Sequence, residues 1–126
     1  MTNNQFKNHT HHISFKLALS GLWYAFRTQP NFLIIFLFAV SALILSFTLG
    51  ISSPEKLIVI WTIFVVFIAE MINTSIESIV DLIAEEWQQN AKIAKDVSSG
   101  MVLLTVIGAA IIGIIIFLPK LTLLFI

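Results

Sequence analysis

Cysteine is absent from the 126-residue sequence, which excludes disulfides and thiolate metal sites and leaves the redox compartment open. Charge is nearly as scarce: 11% of residues are charged, and seven Lys and Arg balance seven Asp and Glu. A chain this neutral carries no electrostatic footprint for nucleic acid. Also missing are a Gly-x4-Gly-Lys-Ser/Thr loop, a Gly-x-Gly-x-x-Gly fingerprint and a His-Glu-x-x-His pair. These absences exclude a Walker-type nucleotide site, a dinucleotide-binding fold and a zinc-protease centre. No sequence period of roughly 20–50 residues recurs, so a repeat architecture is excluded as well.

What is present is apolar. The chain is 58% hydrophobic with mean hydropathy +0.97, a composition that predicts a single all-α integral membrane domain over 1–126. Met1 to His12 is polar. His9, His11 and His12 lie in that tract without a fourth ligand nearby, which favours no metal there. No signal peptide is expected, because the first long apolar run begins at Phe32 and no small-residue cleavage site follows it.

Residues 13–28 read as an amphipathic surface helix. Phe15, Ala18, Leu19, Leu22 and Phe26 recur at steps of three and four, while Trp23 and Tyr24 suit a headgroup interface. Pro30 should end or kink that helix, since the residue before a proline is pushed out of the helical region. The first span is expected over 32–51, the second over 57–84 and the third over 97–118, each near the length that crosses the hydrocarbon core. Ser52 to Lys56 reads as a polar turn, residues 85–96 as a polar loop, and Pro119 as the stop of the third span. Ala42, Ser46 and Gly50, and the pair Ala109 and Gly113, are small residues at four-residue spacing that suit close helix approach. Lys7, Lys16, Arg27, Lys92 and Lys95 fall on one side, Lys56 and Lys120 on the other. That bias predicts a multi-pass protein of the inner (plasma) membrane with a cytoplasmic amino terminus and the polar loop on the same side.

The second span holds the chemistry. From Leu57 to Ala69 no charge, Gly or Pro interrupts the helix, and then carboxylates arrive at helical spacing. With Glu70 at 0°, Asn73 falls at about −60°, Thr74 at about +40°, Glu77 at about −20° and Asp81 at about +20°. In a soluble protein such a stripe is a solvated face. In a bilayer helix each carboxylate costs about 2.5–3.5 kcal/mol to insert, so these residues should face a bundle interior and serve a function. A deep carboxylate such as Glu70 suits a general base acting on an alcohol. Glu77 can offer oxygen to Mg²⁺, and Lys95 can neutralise phosphate oxygens. Periodicity alone goes no further than a polar site on a three-span bundle.

The motif Glu70-x-x-Asn73-Thr74-x-Ile76-Glu77-x-x-x-Asp81, followed by Ala94-Lys95-Asp96, resembles the signature of the small prokaryotic diacylglycerol kinases, which include the undecaprenol kinases. The resemblance runs from Phe15-x-x-Ala18-x-x-Gly21 to the third span. It implies a membrane homotrimer with sites shared between subunits, using ATP and Mg²⁺ to phosphorylate a lipid alcohol, either diacylglycerol or undecaprenol. By that resemblance Glu70 is the catalytic base, which meets the lipid hydroxyl, and Glu77 is a metal ligand. Asn73, Glu77, Asp81, Lys95 and Asp96 serve the nucleotide, with Glu86, Trp87 and Gln88 as the turn beside it. Ser99 matches a position near the lipid, although Ser98-Ser99-Gly100 also reads as small residues for packing.

One departure stands out. Where the family usually has Glu-x-Asn, an aromatic or Met, and a basic residue, this chain has Gln29-Pro30-Asn31-Phe32-Leu33. Gln29 thus replaces a glutamate that shares the metal and meets the nucleotide. Its amide oxygen can coordinate Mg²⁺ but adds no charge, so a catalytically weak member is the alternative within the family. From a different class, Glu70 and Glu77 could line an ion- or proton-conducting oligomer. A pore tolerates loss of Lys95 and Asp96; a kinase does not.

Overall fold

The computed structural model describes residues 14–125, so the histidine tract and Lys7 lie outside the described residues. Four helices follow in order: α1 (Phe15–Thr28), α2 (Pro30–Thr48), α3 (Ser53–Ile83) and α4 (Gln89–Thr122). No strand occurs among the described residues. Helices α2, α3 and α4 are each long and apolar enough to cross a membrane. The fold is all-α and integral to the membrane, as the composition predicts.

Helix α1 starts at Ser14, whose hydroxyl accepts the Leu17 N–H. It ends at Gln29, which is extended at φ −105° and ψ 109° ahead of Pro30. Pro30 then occupies the first turn of α2, where its missing N–H costs nothing. Ala25 is the buried residue of α1, while Leu17, Leu19, Leu22 and Trp23 are exposed. The corner between α1 and α2 is held by aromatic rings. Phe26 meets Phe32 and Phe36 edge-on, with centroids 6.3 and 5.8 Å apart, and Phe32 packs on Phe67 of α3 at 4.9 Å. These contacts fix the entry of the first span beside the acidic stretch.

Helix α2 stops at Thr48, earlier than the expected residue 51. Gly50 takes φ +58°, its N–H bonds to Phe47 O, and the Ile51 N–H reaches back to Ser46 O. This is a Schellman ending, which needs a left-handed residue that glycine supplies without strain. Gly50 is therefore a turn residue, not part of a small-residue seam.

Helix α3 begins at Ser53, four residues before the expected start. Ser52 and Glu55 form a reciprocal capping box: Ser52 N–H donates to Glu55 Oε2 at 2.7 Å, and Glu55 N–H to Ser52 Oγ at 3.4 Å. The supposed polar turn is thus largely the first turn of the helix. At about 1.5 Å per residue, α3 is roughly 46 Å long, well beyond a hydrocarbon core of about 30 Å. Its carboxyl-terminal turns, with Glu77 and Asp81, extend toward water.

Helix α4 also departs from expectation at both ends. Residues 89–96 are helical, so the polar connection shrinks to 84–88. An i,i+4 pair between Lys92 and Asp96 supports this polar first section. At the other end the helix runs through Pro119 to Thr122. Proline removes one donor, whereas backbone groups at membrane depth must otherwise be satisfied within the helix, so the helix persists for one more turn. The Thr122 hydroxyl donates to Pro119 O at 2.9 Å.

Helix α3 is the centre of the bundle, packing along α4 and against α2. A small core of Ile51, Val59 and Ile116 closes the end of the bundle remote from the acidic stretch. Most other large apolar side chains face outward, the pattern expected where lipid is the solvent.

Candidate active site

The carboxylate of Glu70 is buried, at 1% exposure, with the Asn31 side chain of α2 beside it and no hydrogen bond of good geometry to either oxygen. A buried polar group without a partner carries a desolvation cost. Everything around it is arranged by helical spacing. One turn on, Thr74 returns its hydroxyl to Glu70 O at 2.9 Å, so Thr74 offers nothing to a ligand through that proton. Asn73 is buried and bonded on both sides. Its Nδ2 donates to Glu77 Oε1 at 3.2 Å, and its Oδ1 accepts from Ser98 Oγ of α4 at 2.6 Å.

Glu70, Asn73 and Glu77 line one cavity of about 330 Å³ together with Asn31 of α2 and Ser99 of α4. Apolar side chains, among them Ile34, Ile35 and Val106, form the rest of its wall. The cavity is thus polar on the α3 side and apolar on its flanks. Such a space admits a polar head with a hydrocarbon attached.

Toward the aqueous end, Lys95 Nζ sits 2.5 Å from Asp81 Oδ1, joining α4 to α3 one turn beyond Glu77. Asp96 is engaged by Lys92. Glu86, Trp87 and Gln88 lie exposed on the 84–88 connection and do not line the cavity. Gln29 does not line the cavity within one chain; its amide Nε2 donates to the Thr28 hydroxyl at 3.5 Å. The structure therefore brings together Glu70, Asn73, Glu77 and Ser99, and sets the Asp81–Lys95 pair beside them.

Two further residues join the site that the motif on α3 does not name. Asn31 holds the asparagine position of the Glu-x-Asn pattern, which was the available signal. Ser98 had none: its partner is 25 residues away on another helix.

Among the described residues no group of three or more His, Cys, Asp and Glu gathers to hold a metal. Mg²⁺ does not require one, since it is commonly held by one or two carboxylates together with substrate phosphates and water. The Glu77 carboxylate, open to a cavity, fits that mode, while the Asn73 amide turns its N–H toward Glu77 and adds no ligand oxygen.

A profile of the prokaryotic diacylglycerol kinase family matches residues 16–117. The chain belongs to that family. It is 38% identical over 110 residues to the diacylglycerol kinase of Synechocystis sp., covering 86% of this chain and 63% of that protein. It is 40% identical over 108 residues to the undecaprenol kinase of Bacillus subtilis, covering 86% and 88%. The diacylglycerol kinase of Haemophilus influenzae is 32% identical over 102 residues, covering 81% and 84%. As a member of this family the chain places Glu70, Asn73 and Glu77 of the motif on one cavity wall.

Proposed function

We propose that the chain is a lipid kinase that transfers the γ-phosphoryl group of ATP to the hydroxyl of a membrane lipid, diacylglycerol or undecaprenol. The observation that carries this reading is Glu70, a buried carboxylate without a partner on the wall of a cavity that is polar on one side and apolar on the other. The lipid oxygen attacks the γ-phosphorus, the bond to the β–γ bridging oxygen breaks, and ADP leaves. The hydroxyl proton passes to a Glu70 oxygen.

Glu77 would hold Mg²⁺, with Asn73 fixing the rotamer of its carboxylate through the 3.2 Å bond. When bound, the ion neutralises charge on the β- and γ-phosphate oxygens. Lys95 adds positive charge at the aqueous end, where it can exchange Asp81 for phosphate. Asp96, Glu86, Trp87 and Gln88 stand on the same side and are assigned to the nucleoside end. Ser99 is assigned to the lipid head. The working unit is a homotrimer in the inner membrane, amino terminus cytoplasmic, in which a neighbouring subunit brings Gln29 to the metal. Family membership and the orientation of the basic residues support this arrangement.

The test is an assay with radiolabelled ATP on purified protein in mixed micelles, supplying diacylglycerol and undecaprenol separately. Magnesium-dependent label in lipid that Glu70→Gln abolishes supports the reading. Absence of label with either lipid contradicts it.

A further inference from the structure

Each carboxylate of the cavity stands beside a carboxamide. Glu77 has Asn73 on its own helix, joined at 3.2 Å. Glu70 has Asn31, which reaches it from α2 and lines the same cavity. Asn31 is placed there by its neighbours in the chain. Pro30 fixes φ in the first turn of α2, and the buried Phe32 packs on Phe67, one turn before Glu70. Asn31, Ile34 and Ile35 then form one stripe at steps of three and four, and all three line the cavity. Asn31 is the polar member of that stripe.

The other polar groups around Glu70 are already committed. The Thr74 hydroxyl donates to Glu70 O, Asn73 Nδ2 to Glu77, and the Ser98 hydroxyl to Asn73. Of the polar side chains left on the cavity wall, Asn31 is the one beside the Glu70 carboxylate. A glutamate turns easily about its last bond, so a carboxylate that nothing holds presents its lone pairs in many directions. A base that takes the proton of a bound hydroxyl needs one lone pair aimed at that hydroxyl. We propose that Asn31 is the positioning residue for Glu70: its Nδ2 donates to one carboxylate oxygen and leaves the other for the lipid hydroxyl. Catalytic hydrogen bonds are often poorly aligned before substrate binds and tighten in the reacting complex. This rests on the lipid-kinase reading and adds a residue to its machinery.

The experiment uses the purified full chain in mixed micelles with radiolabelled ATP and with diacylglycerol and undecaprenol as acceptors. Asn31→Leu keeps a similar volume and removes the donor. It should lower kcat about 10²-fold, the cost of misplacing a reacting group by about 1 Å, with KM for ATP and lipid unchanged. Asn31→Asp, alike in shape, puts an acceptor where the donor was and should lose as much. In a Glu70→Gln background, Asn31→Leu should change kcat by less than about 2-fold, because a residue that acts through the base has nothing left to position. Full kcat in either single variant overturns the proposal. So does a loss carried by KM, which makes Asn31 a substrate contact. An equal loss with and without Glu70 also overturns it, since that reports a general change in the fold. If the parent phosphorylates neither lipid, the kinase reading fails separately. The contact is then judged by infrared spectroscopy, in which the difference between parent and Glu70→Gln isolates the Glu70 carboxyl bands. Asn31→Leu should shift those bands; unshifted bands contradict the contact.

Discussion

Ser98 and Asn73, on different helices, share a hydrogen bond of 2.6 Å that holds the Asn73 amide in the orientation the Glu77 carboxylate requires. With Oδ1 taken by the Ser98 hydroxyl, Nδ2 is left to donate to Glu77. The reverse orientation would set the amide oxygen against a carboxylate oxygen, an arrangement with no proton between them. Ser98 is therefore a positioning residue for Glu77, acting through Asn73. Ser98→Ala should leave the buried Asn73 oxygen unpaired and cost about 1–3 kcal/mol of stability. It should also raise the Mg²⁺ concentration for half-maximal activity. Ser98→Thr, which keeps the hydroxyl, should restore the magnesium response; no recovery would reduce Ser98 to a packing residue.

The Asp81–Lys95 pair separates a structural from a catalytic role. Its side chains are 67% and 38% exposed, so the pair contributes only about 0.2–1 kcal/mol to stability. Lys95→Met should thus leave thermal unfolding in detergent nearly unchanged. It should lower kcat by about 10²–10³, the loss typical of one charge-stabilising donor. Equal turnover in parent and variant would return the pair to a surface ion pair and favour a conducting oligomer.

Gln29→Glu tests whether a neighbouring subunit completes the metal site. Within one chain Gln29 lies outside the cavity that holds Glu77. If assembly brings them together, the added carboxylate should lower the Mg²⁺ concentration for half-maximal activity, because a hard cation favours charged oxygen. An unchanged titration would place residue 29 outside the site in the assembly as well.

The glycines predict opposite signs. Gly50 holds φ +58° with open space around its Cβ position, so Gly50→Ala costs backbone strain alone, about 1–2 kcal/mol. Gly100 lies inside α4, also in open space. Gly100→Ala should stabilise by about 0.5–1 kcal/mol through helix propensity. Unfolding by SDS titration distinguishes them; a Gly50→Ala variant as stable as the parent would contradict the Schellman ending of α2.

The face of α3 was legible from spacing because a rigid 3.6-residue period determines direction, and Glu70, Asn73 and Glu77 do line one cavity. Asp81 shares that direction but lies a further turn along the axis, where Lys95 takes it. The start of α4 was hidden because Gln89, Asn90, Lys92 and Lys95 are polar, and polarity reports solvent, not backbone conformation. Pro119 misled for a related reason: its penalty is local, and backbone demand in lipid outweighs it. Ser98 was invisible because pairing between helices leaves no periodic trace.

The most direct test is Glu70→Gln, nearly isosteric but unable to take up the lipid proton. With undecaprenol or diacylglycerol as acceptor, kcat should fall by about 10²–10⁴, the usual contribution of a general base. ATP affinity, measured on the same preparation, should stay unchanged. Turnover close to that of the parent would remove Glu70 from the chemistry and contradict the account.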